Sequence, residues 1–579
     1  MTAPASQTLL LGEHAGTVRA GFERLTAQRV LPRLWDKDPS LWSADPAVQS
    51  AIRQRLGWLS ITGVMAKQAE SLRAFAKEIR DAGLTRALLL GMGGSGLFSE
   101  VCRNTFGVAP RHVDVTVLDT TDPAAIRAHQ QLGSLEQLCI IVSSKSGSTS
   151  EVAALSSYFH EALKAVDGGP GAHAIAITDA GTPLETQAAS RGFRRVFTHG
   201  SGTGAEVGGR FSALTYFGLV PAALMGVDAG RLLQRAEEMF ARCGPAVPVT
   251  DNPAAQLAAI LAMLAQAGRD KMTLLCALPL ASFGTWVEQL VAESTGKQGR
   301  GIAPIHGEPL REIHAYAEDR VVVELQLASE FDEALDRHVQ ALASAGHPVV
   351  RIHWADRYDL GGEVAKWSLA TTLTGGLLDI NPFDEPNVKE SKDRTKALLD
   401  LFVQQGRFQD ETPLASDSAV AVYGALGAGR HMSFTECLGE FFRQLRPSDY
   451  VAILSFLPRT PTLDQAVHAL RESLAKRLRQ ATMLGIGPRY LHSTGQLYKG
   501  GPDGGLFLLL TAEEPDDLPI PGERFSFSVL KQAQALGDFQ AMQQKGRRIL
   551  HIHFRGNAHH TVQRLLSALE EATATVARR

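Results

Sequence analysis

The sequence predicts an α/β protein: two doubly wound parallel-sheet domains flanked by helices, followed by a third α/β block at the C-terminus. Three observations lead there. From about residue 86 onward, short apolar runs of strand length alternate with segments of helical periodicity. Two of the early runs end in glycine- or serine-rich loops that open directly into helices, the arrangement of an open parallel sheet that binds ligands at its strand ends. The third is length: 579 residues exceed what one core accommodates.

Taken in order, residues 1–60 read as an N-terminal helical segment, with Trp35, Trp42 and Trp58 as packing anchors. One amphipathic helix is expected over 61–83, leading into a first sheet domain that spans 61–245. Its strands are expected over 86–92, 114–118, 138–143, 173–178 and 195–198. A second domain, 246–410, has strands over 272–278, 321–327 and 349–354. The C-terminal domain, 411–579, has strands over 451–456, 481–486, 505–510 and 549–554, and a helix over 463–479. No low-complexity run or exact repeat interrupts the pattern.

Composition excludes several classes. Hydrophobic residues make up 44% and charged residues 21%, as in ordinary globular proteins. A net charge of −3 gives no electrostatic reason for a nucleic-acid or anionic-membrane partner. The apolar stretch around 216–227 contains Pro221 and is too short to span a bilayer. Leu9-Leu-Leu11 is too short for a signal-peptide core. Cys102, Cys139, Cys243, Cys276 and Cys437 are scattered and odd in number, so neither a disulfide framework nor a zinc site is expected. A cytoplasmic protein fits these features.

The stretch that organises the rest is Arg86-Ala-Leu-Leu-Leu-Gly-Met-Gly-Gly-Ser-Gly96. A buried strand runs into Gly91, Gly93, Gly94, Ser95 and Gly96, and a helix begins at Leu97. Glycines let backbone N–H groups approach an anion, and the helix dipole favours negative charge there. The device recurs at Ser143-Ser-Lys-Ser-Gly-Ser-Thr-Ser150, where Ser144, Ser146, Ser148 and Thr149 surround Lys145. Two such loops can converge on one phosphate. Gly91, Gly93 and Gly96 with Asp119 also fit a dinucleotide fingerprint, but that fold does not need the second loop.

Further on, Gly208-Gly-Arg210 opens another helix after glycines, and Glu293-Ser-Thr-Gly-Lys297 ends one. Alone, Arg210 could be a surface charge, Glu293 a helix-terminal carboxylate and Lys392 a solvated lysine. Together with Gly91-Met-Gly-Gly-Ser95, Ser144-Lys-Ser-Gly-Ser-Thr149 and Asn381-Pro-Phe-Asp384, these motifs resemble, in order, those of the glucose-6-phosphate isomerase family. The arrangement also resembles the isomerase half of bifunctional transaldolase–isomerase proteins. The resemblance implies two sugar-isomerase (SIS) domains, no cofactor, no metal, and a sugar phosphate as substrate. It implies a step of glycolysis and gluconeogenesis, and brings in a second copy of the chain or a transaldolase as candidate partners.

Carried over by motif, the resemblance puts the substrate phosphate on Gly94, Ser95, Ser144, Ser146 and Thr149, with Lys145 beside it. Glu293 becomes the base that moves a proton between C2 and C1. Arg210 faces the enediolate, and Lys392 lies near the ring oxygen. Glu385 stands where the family has a glutamine that binds sugar. The ring-opening histidine is assigned to His492, in His-Ser-Thr-Gly-Gln-Leu-Tyr-Lys-Gly-Gly501, although the family keeps its histidine before the lysine motif. His306 and His314 occupy that interval and remain the alternatives. A catalytically silent phosphosugar-binding regulator, and an isomerase that also takes mannose 6-phosphate, are the competing readings.

Overall fold

The computed structural model describes residues 6–200, 206–409, 411–426, 432–556 and 558–574. The chain forms two compact units. The first comprises Met1–Asp119, Leu132–His306 and Arg320–Asp384; the second comprises Thr120–Gln131, Gly307–Asp319 and Glu385–Arg579.

The first unit holds two sheets. Strands β1 (Ser6–Leu10), β2 (Arg86–Leu90), β3 (Asp114–Leu118), β4 (Leu138–Ser143), β5 (Ala174–Asp179), β6 (Arg195–His199), β7 (Lys271–Cys276), β8 (Ala303–His306), β9 (Arg320–Leu327) and β10 (Val349–Trp354) belong to it. One sheet has the order β3-β2-β4-β5-β6 and is parallel throughout. The other has the order β1-β10-β9-β7-β8, parallel except for β1. β2, β4 and β5 are buried on both faces almost throughout, which explains their nearly continuous apolar runs.

In the first sheet the chain winds from β2 outward to β3, then returns to β4 on the other side. The adjacent pair β2 and β4 is therefore the point where the winding reverses, the place at whose carboxyl ends open α/β sheets take their ligands. Register brings Leu90 beside Val142, so the loops that start at Gly91 and Ser143 leave the sheet side by side.

The second unit is built on β11 (Ala415–Ser416), β12 (Val420–Gly424), β13 (Tyr450–Phe456), β14 (Ala481–Ile486), β15 (Gly505–Ala512) and β16 (Arg548–Phe554). Their order is β11-β12-β16-β15-β13-β14; β16, β15, β13 and β14 run parallel, and β12 is antiparallel to β16. This is the α/β block expected from the sequence, with an antiparallel edge added.

Two expectations need correction. Residues 1–60 are not helical throughout: β1 pairs antiparallel with β10, Ser6 opposite His353 and Leu10 opposite Val349. The expected helix over 61–83 is two helices, Ile61–Ala66 and Ala69–Asp81, interrupted at Lys67 and Gln68. The tryptophans do act as anchors. Trp35 Nε1 donates to the Cys243 carbonyl at 3.0 Å, and Trp42 Nε1 to the Thr372 carbonyl at 3.1 Å. Among the described residues no helix is long and apolar enough to cross a membrane.

Candidate active site

The two loops at the reversal point are joined to each other. Ser143 Oγ donates to the Ser95 carbonyl at 2.6 Å. Ser144 Oγ and Thr149 Oγ1 are 3.0 Å apart, which closes the second loop across its mouth. Ser146 Oγ accepts from the Ser148 backbone N–H at 3.3 Å. Helices Leu97–Phe106 and Ser150–Ala162 start from these loops, with Gly96 and Thr149 at their N-caps and no side-chain cap on either. A helix N-terminus without a side-chain cap retains N–H donors that an anion can take. Lys145 directs its ammonium to Asp179 at the end of β5, so the donors left around the loop mouths are hydroxyls and helix N–H groups.

A third segment closes on the first loop. A Cβ on Gly94 would lie 2.0 Å from the Gly209 carbonyl oxygen, so only glycine permits this approach of two backbones. Ser212 Oγ adds a bond to the Gly94 carbonyl at 3.1 Å. The short 3-10 turn Gly209–Phe211 thereby sets Arg210 next to the loop that follows β2.

Arg210 is 3% exposed and highly constrained. Its Nε donates to Ser294 Oγ at 2.8 Å, and its Nη2 to the carbonyls of Pro382 at 2.6 Å and Asp384 at 3.0 Å. Nη1 lies 3.2 Å from Glu293 Oε1. Glu293, near the end of the helix Ala281–Thr295, also accepts from Gln289 Nε2 at 3.4 Å. A planar guanidinium held on four sides presents a fixed positive charge beside a carboxylate.

Two supports were not assigned from sequence. Lys297 is buried and donates to the Asn381 carbonyl and to Asp384 Oδ1, both at 2.7 Å, which pins the Asn381-Pro-Phe-Asp384 turn whose carbonyls hold Arg210. Its place four residues after Glu293 was visible; its burial was not. The N-terminal segment supplies the other. The Gly57 N–H donates to the Glu206 carbonyl at 2.9 Å, and Leu56 bridges Val207. Trp58 stacks on Phe211 with centroids 5.3 Å apart, and Phe383 packs tilted against Phe211 and edge-on to Trp42. Aromatic packing thus backs both the Arg210 turn and the turn that binds its guanidinium.

Gly94, Ser95, Ser144, Lys145, Ser146, Thr149, Arg210 and Glu293 belong to the first unit. Glu385, Lys392 and His492 belong to the second. There Glu385 precedes the helix Pro386–Gln405, on which Lys392 is exposed, in its second turn. His492 ends the 3-10 turn Arg489–His492 and is half-buried. The two segments are tied: the Asn387 N–H donates to Gln496 Oε1 at 3.0 Å, and Gln496 Nε2 to Asn387 Oδ1 at 2.8 Å. Of the alternative histidines, His306 ends β8 with its ring against Gly284, and the His314 carbonyl accepts from Arg479. Among the described residues no group of three or more His, Cys, Asp or Glu side chains could hold a metal ion.

A glucose-6-phosphate isomerase from Synechococcus sp. (strain JA-3-3Ab) is 30% identical to this chain over 381 residues, covering 57% of this chain and 70% of that protein. The chain belongs to the glucose-6-phosphate isomerase family. Membership makes it an isomerase. A probable glucose-6-phosphate isomerase from Haloarcula marismortui is 27% identical over 405 residues, covering 64% of this chain and 89% of that one. The solved structure of a glucose-6-phosphate isomerase from Chlamydia trachomatis shares the fold, with a TM-score of 0.54 and 18% identity over 66% of this chain and 86% of that one. A hypothetical protein from Thermus thermophilus is similar in fold, with a TM-score of 0.56, 22% identity, and coverage of 68% and 99%. No protein-family model matches the chain.

Proposed function

We propose that the chain interconverts glucose 6-phosphate and fructose 6-phosphate through an enediolate. The observation that carries the reading is the buried Arg210 guanidinium, fixed 3.2 Å from the Glu293 carboxylate and packed against the phosphate-type loop at Gly94.

The reaction asks for four things. Phosphate held far from the reacting carbons orients the open chain; Ser95, Ser144, Ser146 and Thr149 are the hydroxyls for it, with Gly94 leaving room. Ring opening removes the proton of the anomeric hydroxyl and delivers one to the ring oxygen. His492 is assigned that transfer, since an imidazole can accept a proton on one nitrogen and donate one from the other, and Lys392 the ring oxygen. Glu293 then takes the proton from C2, the electron pair passes to O1 to give the enediolate, the hydroxyl proton of O2 passes to O1, and the same carboxyl returns its proton to C1 as the carbonyl forms at C2. Charge that develops on the two oxygens is met by Arg210, whose preorganised position needs no rearrangement in the transition state. Glu385 is assigned contact with the sugar hydroxyls.

A sugar phosphate substrate and a set of free cysteines suit a cytoplasmic enzyme, and a second copy or a transaldolase is the partner to seek by size-exclusion chromatography.

The test is a coupled assay of fructose 6-phosphate conversion by the wild type and Glu293→Gln. Wild type should turn over. The variant keeps the size and hydrogen bonding of the side chain but loses the base, so its turnover should fall at least about a hundredfold with little change in affinity. A wild type that binds both hexose phosphates and converts neither is a silent binder, and near-normal turnover by the variant removes Glu293 from the mechanism. Mannose 6-phosphate in the same assay measures how broad the specificity is.

A further inference from the structure

Asp538 lies in the helix Phe527–Gln544, and its side chain is 1% exposed. Three donors converge on it. Oδ1 accepts from Lys499 Nζ at 2.6 Å and from Ser391 Oγ at 3.0 Å; Oδ2 accepts from the Tyr490 hydroxyl at 2.7 Å. Ser391 immediately precedes Lys392 on its helix. Tyr490 stands two residues before His492, and Lys499 is in the short helix Gly495–Gly500 that follows it. All three donors are buried. Burial and the neighbouring carboxylate hold the Tyr490 phenol well above its ordinary ionisation range, so it remains an O–H donor.

Moving any one segment would strand a donor or the carboxylate away from water, and stranded buried groups are far more costly than an average hydrogen bond is favourable. Backbone packing tightens the same point. A Cβ on Gly537 would lie 2.9 Å from Thr395 Oγ1 and 3.0 Å from the Thr395 nitrogen, so the Asp538 helix crosses the Lys392 helix at contact distance. Lys499 neutralises Asp538, and the cluster therefore acts through geometry rather than through a net field.

We propose that Asp538 is a positioning residue that sets the His492 turn against the Lys392 helix and thereby governs ring opening. The proposal rests on the reading of His492 and Lys392 given above.

Two variants remove one tie each and leave the Lys499–Asp538 pair intact: Tyr490→Phe and Ser391→Ala. Each is assayed on glucose 6-phosphate, which arrives closed, and on a four-carbon aldose 4-phosphate, whose phosphorylated terminal oxygen cannot close a ring. Tyr490→Phe should lower kcat on glucose 6-phosphate by about tenfold to a hundredfold, the scale of a small misplacement of a reacting group, with KM little changed. Turnover of the open substrate should stay near wild type, and Ser391→Ala should show the same split. In a His492→Ala background, Tyr490→Phe should cost nothing more, because its effect passes through that histidine. Thermal melts verify that each variant is folded at the assay temperature. Losses that multiply with His492→Ala, equal losses on both substrates, or unchanged kcat in both folded variants overturn the positioning role. Normal activity of His492→Ala on glucose 6-phosphate overturns the ring-opening reading itself, and that single variant is measured first.

Discussion

At the scale of single residues, Arg210 shows how a side chain is made into a fixed charge. Its three nitrogens are committed to a hydroxyl, two carbonyls and a carboxylate, and the carbonyls belong to a turn that Lys297 pins separately. A lysine cannot reproduce that, since an ammonium is a point charge on a flexible stem. Arg210→Lys should lower kcat for isomerisation by about a hundredfold to a thousandfold, as loss of a preorganised oxyanion donor does, with a smaller change in KM; steady-state kinetics checks the split. Equal kcat in Arg210→Lys would mean that charge alone suffices there. The motif residues were legible because each motif is local: glycines before a helix, hydroxyls between strand and helix, a glutamate four residues before a lysine. Their supports were not. Trp58, Phe211 and Phe383 make one aromatic cluster from three distant parts of the chain, and nothing in the sequence around Trp58 names its partners.

At the scale of elements, β2 and β4, which support the two glycine- and serine-rich loops, could be read because they are apolar and buried on both faces. β1 and β8 could not. β1 is a five-residue strand paired, among the described residues, with β10 alone, more than 330 residues away in sequence. β8 has four residues, one of them Pro304, and proline argues against a strand unless the strand is at an edge, as β8 is. The two loops after β2 and β4 work as one element, because Ser143 holds the Ser95 carbonyl and Ser144 meets Thr149. Ser144→Ala combined with Thr149→Ala removes the closing pair and two of the hydroxyls, each worth on the order of 1.5–3 kcal/mol to a charged ligand. Competition by inorganic phosphate against the sugar substrate should weaken at least tenfold in the double variant. Unchanged competition would mean that the phosphate sits elsewhere.

At the scale of the whole molecule, the composition of the second unit was illegible, because it takes in segments that interrupt the first. The chain passes from one unit to the other at residues 119, 131, 306, 319 and 384. Both interrupting segments enter buried polar clusters. Asp122 Oδ2 meets Lys531 Nζ at 2.7 Å while Glu514 takes the other side of the ammonium, and Glu308 accepts from the Thr482 N–H at 2.6 Å beside Arg311. Because 120–131 and 307–319 are held at both ends by segments of the first unit, folding of that unit closes these loops in advance and lowers the entropy the second unit must give up. The same closure acts in reverse on 132–306 and 320–384, so the coupling is mutual, but loop closure is a small term and destabilising the second unit should leave the first largely standing. Lys531→Met is the means: it strands Asp122 and Glu514, at a cost of about 3–5 kcal/mol. All six tryptophans (Trp35, Trp42, Trp58, Trp286, Trp354, Trp367) lie in the first unit, so their fluorescence follows that unit alone, whereas far-ultraviolet circular dichroism follows both. In Lys531→Met, part of the dichroism signal should melt on the order of 10 °C earlier, with the tryptophan transition unmoved. Adding Asp122→Asn and Glu514→Gln removes the stranded charges and should recover part of the loss. If fluorescence and dichroism shift together, the two units unfold as one cooperative block and the weak coupling is wrong.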